Sequence, residues 1–210
     1  MTSPPVRLTV PLQTNPLQFE RLERLQKEFS SACNEVAQVA QEQQCRNRVA
    51  LHHLVYRGVR QRHPALGAQM ACNAVYAVVR ALREKVGRPA LALAGQKSPV
   101  KLTFAPDAPV FFDRHTMGFA LSMMSVFTQD GRLRVASPSL GADEVKVLGS
   151  FRILEARLCR EAAGFYFVFD LAPKAVNVAV GLDQVSVLAK AGVSAGAETA
   201  PSSLVMDDSL

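Results

Sequence analysis

The residues whose types and spacing could bind a polyanion lie on two predicted helices between Arg46 and Arg88. On the first helix, His53, Arg57 and Arg60 recur at steps of four and three residues, so they share one face. On the second helix, five residues share a face by the same spacing: Gln69, Asn73, Tyr76, Arg80 and Arg83. Arginine neutralises phosphate groups, and Gln and Asn amides can bond an adenine edge. Both faces therefore predict nucleic-acid binding.

The charge of the 210-residue chain is unevenly distributed. The net charge is +6, but residues 1–100 carry 14 Lys or Arg against 6 Asp or Glu, whereas residues 101–210 carry 10 against 12. Between Arg46 and Arg88, nine basic side chains accompany one acidic side chain, Glu84. Such an excess predicts a polyanionic partner, most often a nucleic acid. The alternative is a basic face that is merely solvated.

Two further arginines follow a predicted tight turn at Asp130-Gly131. Because side chains alternate along a strand, Arg132 and Arg134 point to the same side of a sheet. They join the predicted set of nucleic-acid-binding residues.

A run of aromatic residues near the end of the predicted sheet has two readings. Phe165, Phe167 and Phe169 alternate as a buried strand face does, which favours core packing. Tyr166 lies on the opposite face and is the better candidate for stacking on a base.

The sequence carries no recognisable enzyme signature and predicts no cofactor and no metal. The histidines His52, His53, His63 and His115 lack the spacing of a metal site. The cysteines Cys33, Cys45, Cys72 and Cys159 form no C-x-x-C pair, which favours reduced thiols in a cytoplasm. No apolar run of 18 residues and no secretory signal are visible, so we expect no membrane partner.

The periodicity predicts one strand followed by three helices. Val6 to Leu12 alternates as a half-buried strand, and Asn15-Pro16 predicts the start of a helix that reaches about Gln43. The second helix is predicted from near Asn47 to Arg62, ended by His63-Pro64, and the third from about Gly67 to Lys85.

From Lys101 onward, strand patterns predominate. The predicted strands are Val100–Phe104, Val110–Phe112, Thr116–Phe127, Arg132–Ala136, Phe151–Arg160 and Gly164–Leu171, with a helical turn at Gly141–Val145. The expected fold class is α+β, in which an antiparallel β-barrel is interrupted by a helical insertion.

Several of these segments, taken in order, resemble TnpB-type proteins, the transposon-encoded RNA-guided nucleases related to type V CRISPR effectors. The segments in the first half are Phe29-Ser30-Ser31-Ala32-Cys33-Asn34, Leu54-Val55-Tyr56-Arg57-Gly58-Val59-Arg60 and Gly67-Ala68-Gln69-Met70-Ala71. Those in the second half are Asp130-Gly131-Arg132-Leu133-Arg134-Val135, Glu155-Ala156-Arg157-Leu158, Gly164-Phe165-Tyr166-Phe167-Val168 and Gly181-Leu182-Asp183.

The resemblance implies a wedge-type, oligonucleotide-binding-like barrel interrupted by a helical recognition lobe. It implies the first barrel strand at 1–13, the helical lobe at 14–98, the rest of the barrel at 99–175, and the first strand of a RuvC-like domain with a flexible tail at 176–210. It also implies that Tyr56 and Gln69 approach bases. The phosphate-binding residues would be Arg57, Arg60, Arg80 and Arg83.

The resemblance further places Asp183 at the first carboxylate position of a RuvC-like nuclease. Such a site needs additional carboxylates to hold two metal ions, and no later segment supplies them here. We therefore expect Asp183 to be vestigial and the chain not to be an enzyme. The expected partner is structured guide RNA, DNA or both, with a second protein chain as the source of any nuclease. The alternatives are an inactive transposon remnant and an assembly subunit of a larger RNA-guided complex.

Overall fold

A computed structural model describes residues 6–87, 101–174 and 194–195, and these form an α+β protein. The helices are α1 (Pro16–Glu42), α2 (Arg48–Arg62), α3 (Gly67–Gly87) and α4 (Ala142–Ser150), with a 3-10 turn at Pro64–Leu66. The strands are β1 (Val6–Pro11), β2 (Val110–Phe112), β3 (Met117–Ala120), β4 (Met123–Thr128), β5 (Gly131–Ala136), β6 (Phe151–Glu161), β7 (Gly164–Pro173) and β8 (Ser194–Ala195). The predicted α+β class is confirmed.

The chain divides into two compact units. Among the described residues, the sheet unit comprises 6–23, 109–174 and 194–195, and the helical unit comprises 24–87 and 101–108. The sequence placed the corresponding boundaries at 13/14 and 98/99. Residues 1–5, 88–100 and most of 175–210 lie outside the described residues, and so does Asp183 with the RuvC-like strand assigned to it.

The described strands of the sheet unit form two antiparallel sheets. One has the order β2-β6-β7-β1-β8 and the other β3-β4-β5. In the part of the chain that the structure describes, neither sheet closes into a barrel. The long hairpin of β6 and β7 is confirmed, and its register runs from Phe151 opposite Pro173 to Glu161 opposite Gly164.

The core of the sheet unit is built on the alternating phenylalanines of β7. Phe165, Phe167 and Phe169 are all at most 2% exposed, so their predicted core role is confirmed. The Phe167 ring lies 5.4 Å from that of Phe112 and 5.6 Å from that of Phe169. The Phe119 ring of β3 reaches Phe169 at 6.5 Å and so connects the two sheets.

The prediction of one strand over Thr116–Phe127 is wrong, because the chain reverses at Leu121-Ser122 between β3 and β4. Ser122 has a φ of 54° there. Its N–H donates to the carbonyl of Leu140 at 2.7 Å, and its own carbonyl accepts from Ser137 N–H at 2.9 Å. These contacts from a distant loop stabilise a backbone conformation that serine rarely adopts.

Asparagines cap the starts of α1 and α2, and the first of them, Asn15, is the predicted cap. Asn15 and Gln18 form a capping box in which the Gln18 N–H donates to Asn15 Oδ1 at 2.9 Å and the Asn15 N–H to Gln18 Oε1 at 3.0 Å. Asn47 caps α2 through the N–H groups of Val49 and Ala50. The apolar residues that recur at three- and four-residue steps along α1 are all buried: Leu22, Leu25, Phe29, Cys33, Val36 and Ala40.

The prediction of a strand over Val100–Phe104 is wrong for its described part, because residues 101–105 pair with no strand. Side-chain amides of α1 take the place of a partner strand. Asn34 Oδ1 accepts the Phe104 N–H at 2.7 Å, and Asn34 Nδ2 donates to the Phe104 carbonyl at 2.9 Å. Gln41 makes the same two bonds to Leu102, each at 3.4 Å. Leu102 and Phe104 are buried in alternation, as in a strand, although this segment forms no strand.

Replacing Asn34 with Ala is expected to destabilise the protein by about 2 kcal/mol, because it leaves the N–H and C=O of Phe104 without partners. Chemical denaturation monitored by circular dichroism measures this loss. Gln38→Ala is the matched control on the exposed side of the same helix, and a change within about 0.5 kcal/mol is expected. Equal effects of the two substitutions would contradict the role given to Asn34.

Among the described residues, one helix has the length and hydropathy to cross a bilayer, Pro64–Lys85. Of its most apolar window, 56% is buried inside the protein. Met70, Ala74 and Val78 on this helix are fully buried. These features are those of a core helix of the helical unit.

Candidate nucleic-acid interface

Helix α2 presents one apolar and one polar face, as its sequence requires. Leu51, Val55 and Val59 are buried, while His53 and Arg57 on the far side are exposed. Arg57 makes no side-chain hydrogen bond or ion pair with any described residue. Its guanidinium is therefore available to a ligand.

Arg60 lies one turn beyond Arg57 and is half-buried. Its Nη1 donates to the carbonyl of Pro64 at 3.3 Å. This bond ties the guanidinium to the end of α2 but leaves four of its five N–H groups for phosphate oxygens.

Aromatic side chains fill the flank where α2 faces α3. The His52 ring stacks on the ring of Tyr56 at 4.7 Å. The guanidinium carbon of Arg48 lies 5.3 Å from the centre of the Tyr76 ring, which is a cation–π contact. Both tyrosines remain partly exposed. The two helices thus hold their tyrosines in fixed orientations beside the basic face.

The open face of α3 is narrow because most of the helix circumference is packed. Between Gln69 and Arg83, its partly or fully exposed positions are Gln69, Cys72, Tyr76, Arg80 and Arg83. The expectation that Asn73 belongs to this face is wrong, since Asn73 is 6% exposed and its Nδ2 points at Met70 Sδ at 3.9 Å. Cys72, which lies about one helical turn from both Gln69 and Tyr76, is on this face instead. Its Sγ lies 4.0 Å from His52 Nδ1.

An arginine that already pairs with a carboxylate is less available to bind a phosphate than an unpaired one. Arg80 pairs with Glu84 at 2.8 Å, and Arg62 pairs with Glu35 of α1. Arg46, Arg57 and Arg83 are exposed and make no ion pair within the described residues. Arg48 is likewise exposed and makes no ion pair within the described residues, although its guanidinium lies against the Tyr76 ring. These four arginines contribute unneutralised positive charge to the polar surface of the helical unit.

The pair of arginines predicted on one side of a strand lies in the sheet unit. Arg132 and Arg134 are both exposed on β5, while Leu133 and Val135 between and beyond them are buried. They therefore form a second basic surface, which belongs to the sheet unit.

Tyr166, the predicted stacking residue, is half-buried, and its hydroxyl donates to Glu161 Oε1 at 2.7 Å. Burial and this carboxylate raise the pKa of the Tyr166 phenol well above its usual value. A carboxylate bonded to the hydroxyl opposes the approach of phosphate, so this tyrosine is a weaker candidate than Tyr56 or Tyr76.

On the same sheet face, Arg157 is the centre of a buried charge network. Its Nε lies 2.9 Å from Glu155 Oε1, and its Nη2 donates to Asp170 Oδ2 at 2.8 Å. Asp170 also accepts from Arg7 Nε at 2.8 Å, across the pairing of β1 with β7. Each of these two carboxylates pairs with an arginine, so we assign these residues to the stability of the sheet and not to the candidate interface.

His63 connects the end of α2 to helix α1 through two carboxylates. Its Nδ1 lies 2.9 Å from Glu28 Oε1, and its Nε2 lies 3.4 Å from Glu35 Oε2. Glu35 also accepts hydrogen bonds from the Arg62 guanidinium, at 2.5 Å for Nε. The hydrogen bond from Arg62, with the charges of Arg62 and His63, lowers the pKa of Glu35 despite its partial burial.

This lowered pKa gives a testable pH dependence. Unfolding returns Glu35 toward the ordinary value of 4.5, so its contribution to stability is present above that pH and is lost as the pH falls through the lower folded pKa. Glu35→Gln is expected to destabilise the protein near neutral pH and to flatten the acid limb of its stability curve. Urea titrations across that range measure this. The control Glu20→Gln removes an exposed carboxylate of α1 that has no partner among the described residues, and an equal flattening there would contradict the assignment.

The sequence missed four residues that shape the interface: Arg46, Arg48, His52 and Cys72. Arg48, His52 and Tyr56 recur every four residues on α2, which is a visible helical stripe. The role of this stripe depends on its contacts with Tyr76 and Cys72 of α3, and no local sequence pattern shows which residues of the two helices meet.

The four cysteines differ in exposure. Cys72 and Cys45 are partly exposed thiols, whereas burial raises the pKa of Cys159 to about 11 and also raises the pKa of Cys33.

Within the part of the chain that the structure describes, no group of three or more His, Cys, Asp or Glu residues could hold a metal ion. No family model and no curated protein matches the chain. The resemblance to TnpB-type proteins therefore stays a prediction from the sequence.

Proposed function

We propose that the chain is a nucleic-acid-binding protein whose α2 and α3 contact RNA or DNA. The observation that carries this proposal is a set of exposed arginines on or beside α2 and α3 that make no ion pair with any described residue, next to partly exposed tyrosines. These arginines are Arg46, Arg48, Arg57 and Arg83. Cations bind the phosphate backbone, and fixed aromatic rings offer stacking surfaces. Together they match a nucleic acid better than any small ligand.

In this proposal, each side chain has a defined role. Arg57, Arg60 and Arg83 bind phosphates, and Arg80 contributes less because Glu84 already neutralises it. Tyr56, Tyr76 and Gln69 approach bases, and His53 lines the rim of the surface. Asn73 is excluded from the site by its burial.

The proposal extends to the class of protein. A strand, three helices and then antiparallel strands follow the element order of a TnpB-like wedge and recognition portion, which supports an oligonucleotide-binding-like architecture. The chain would act in the cytoplasm as a recognition subunit or an occupancy repressor. Any cleavage would come from a second chain, and Asp183 would have no catalytic role.

The full chain, expressed and purified, tests this proposal through the nucleic acid it retains. We expect a discrete structured RNA to copurify and to survive washing at moderate salt. Sequencing of the retained nucleic acid identifies it. A well-folded protein that retains no nucleic acid and binds none at low salt would overturn the proposal.

One observation favours the alternative of an assembly subunit. Val49 and Leu54 on the outer side of α2 are 64% and 56% exposed, so this helix offers apolar as well as basic surface to a partner. If this face docks a protein, affinity purification should recover a stoichiometric polypeptide partner. Loss of that partner in Leu54→Gln, with nucleic-acid binding absent throughout, would favour assembly over binding.

A further inference from the structure

The outward face of the β3-β4-β5 sheet has an unusual composition. Cross-strand pairing places three rows of side chains on it: Ala120, Met123 and Ala136; Gly118, Ser125 and Arg134; and Phe127 beside Arg132. The opposite face of the same strands is buried, with Met124, Val126, Leu133 and Val135 all at most 6% exposed. The sheet therefore presents one packed face and one open face.

Small residues keep this open face flat. Gly118 lies on the edge strand β3, and a Cβ built there meets no atom within 4 Å. Ala120 and Ser125 add little height on either side of it. Phe127, on the central strand β4, is partly exposed and is the one aromatic residue of the described face. The partly exposed Phe127 ring is therefore the aromatic surface that this face offers to a planar group.

The charged groups of this face are all cationic. Arg132 Nη2 donates to the His115 carbonyl at 2.7 Å, and Arg132 Nη1 lies 3.4 Å from Ser125 Oγ, so the guanidinium is held over the sheet. Arg134 makes no side-chain bond with any described residue. None of the described residues on this face is acidic. The surface is thus complementary to an anion that carries flat rings.

We propose that this sheet face binds single-stranded nucleic acid, with an unpaired base stacked on Phe127 and the adjoining phosphates on Arg132 and Arg134. A duplex keeps its bases stacked on one another, so an exposed aromatic ring on a flat sheet favours an unpaired strand. The inference rests on the proposed function and adds to it a second surface with a stated ligand class.

Fluorescence anisotropy with the full chain tests this inference, using a labelled oligouridylate of about 15 nucleotides and an RNA hairpin of equal length. Phe127→Leu removes the ring but keeps an apolar side chain, and it is expected to weaken oligouridylate binding about tenfold. Hairpin affinity should change less than about twofold, since α2 and α3 are intact. Phe127→Tyr keeps the ring and should bind as the original does.

A second pair of variants avoids the packing of Phe127. Gly118→Glu places a carboxylate on the open face and should weaken oligouridylate binding by a similar factor. Gly149→Glu makes the same charge change at another glycine with open space around it, on α4, and should have little effect. Oligouridylate binding unchanged in both Phe127→Leu and Gly118→Glu would overturn the inference. If substitution of Arg57 and Arg83 still weakened hairpin binding in that case, the proposed function would stand although this inference had failed.

Discussion

The double substitution Arg57→Gln and Arg83→Gln is expected to weaken nucleic-acid binding about 30-fold near physiological salt. Both guanidinium groups are exposed, and neither has an ion-pair partner among the described residues, so each can form charge-assisted bonds to phosphate. Loss of two phosphate contacts should also make the plot of log affinity against log salt less steep by about 2. Filter binding or anisotropy across a salt series measures both quantities.

The matched control removes two cations outside both proposed surfaces. Lys146 on α4 and Arg152 on β6 are exposed and make no ion pair with described residues. The double variant Lys146→Gln and Arg152→Gln carries the same net charge as the first one, so any difference between them reports position. Equal losses in both variants would mean that binding follows net charge alone and would contradict an interface on α2 and α3.

The largest expected effect on stability comes from Arg157→Met, which should lower the free energy of unfolding by about 3 kcal/mol. Arg157 is 8% exposed and is the cation between Glu155 and Asp170. Methionine fills similar volume but leaves two largely buried carboxylates facing each other across paired strands. Denaturant titration with the far-ultraviolet circular dichroism signal gives the change directly.

Arg152→Met is the control for this prediction, on the same strand and with the same chemical change. Its side chain is exposed, so we expect a change within about 0.5 kcal/mol. If Arg157→Met were no more destabilising than Arg152→Met, the network would contribute nothing measurable. The triple substitution Arg157→Met, Glu155→Leu and Asp170→Leu should recover much of the loss, because it removes both largely buried carboxylates and leaves only Arg7, whose side chain is 31% exposed, without its partner.

The features that could be predicted from the sequence are those that depend on neighbouring residues. Asn15 and Asn47 cap helices through N–H groups three or fewer residues away, and Pro64 prevents α2 from continuing. The β6-β7 hairpin follows from alternation on both sides of a short turn. These signals are local, so the sequence alone contains them.

The features that could not be predicted depend on distant contacts. The segment at Leu102 and Phe104 alternates like a strand, but Asn34 and Gln41 supply its hydrogen bonds. The residues Leu121-Ser122 carry no turn signal of their own. The turn between β3 and β4 is stabilised by backbone hydrogen bonds of Ser122 with Leu140 and Ser137. In both places the local pattern is compatible with two structures, and a partner far along the chain decides between them.

In the candidate interface, too, local features could be predicted from the sequence and features that depend on distant contacts could not. Helical spacing correctly grouped His53 with Arg57 and Arg60, and Tyr76 with Arg80 and Arg83. It could not show that α3 is packed around most of its circumference, which buries Asn73. Nor could it show which arginines are neutralised, since the partner of Arg62 lies on another helix.

The central claim is that α2 and α3 contact nucleic acid, and ultraviolet crosslinking of the full chain to its copurified RNA tests it most directly. Digestion and mass spectrometry then map the crosslinked peptides. The account predicts crosslinks in peptides from residues 46–62 and 67–87, with Tyr56 and Tyr76 as the leading sites. Crosslinks confined to other parts of the chain, or an absence of crosslinks from a protein that binds RNA, would contradict it.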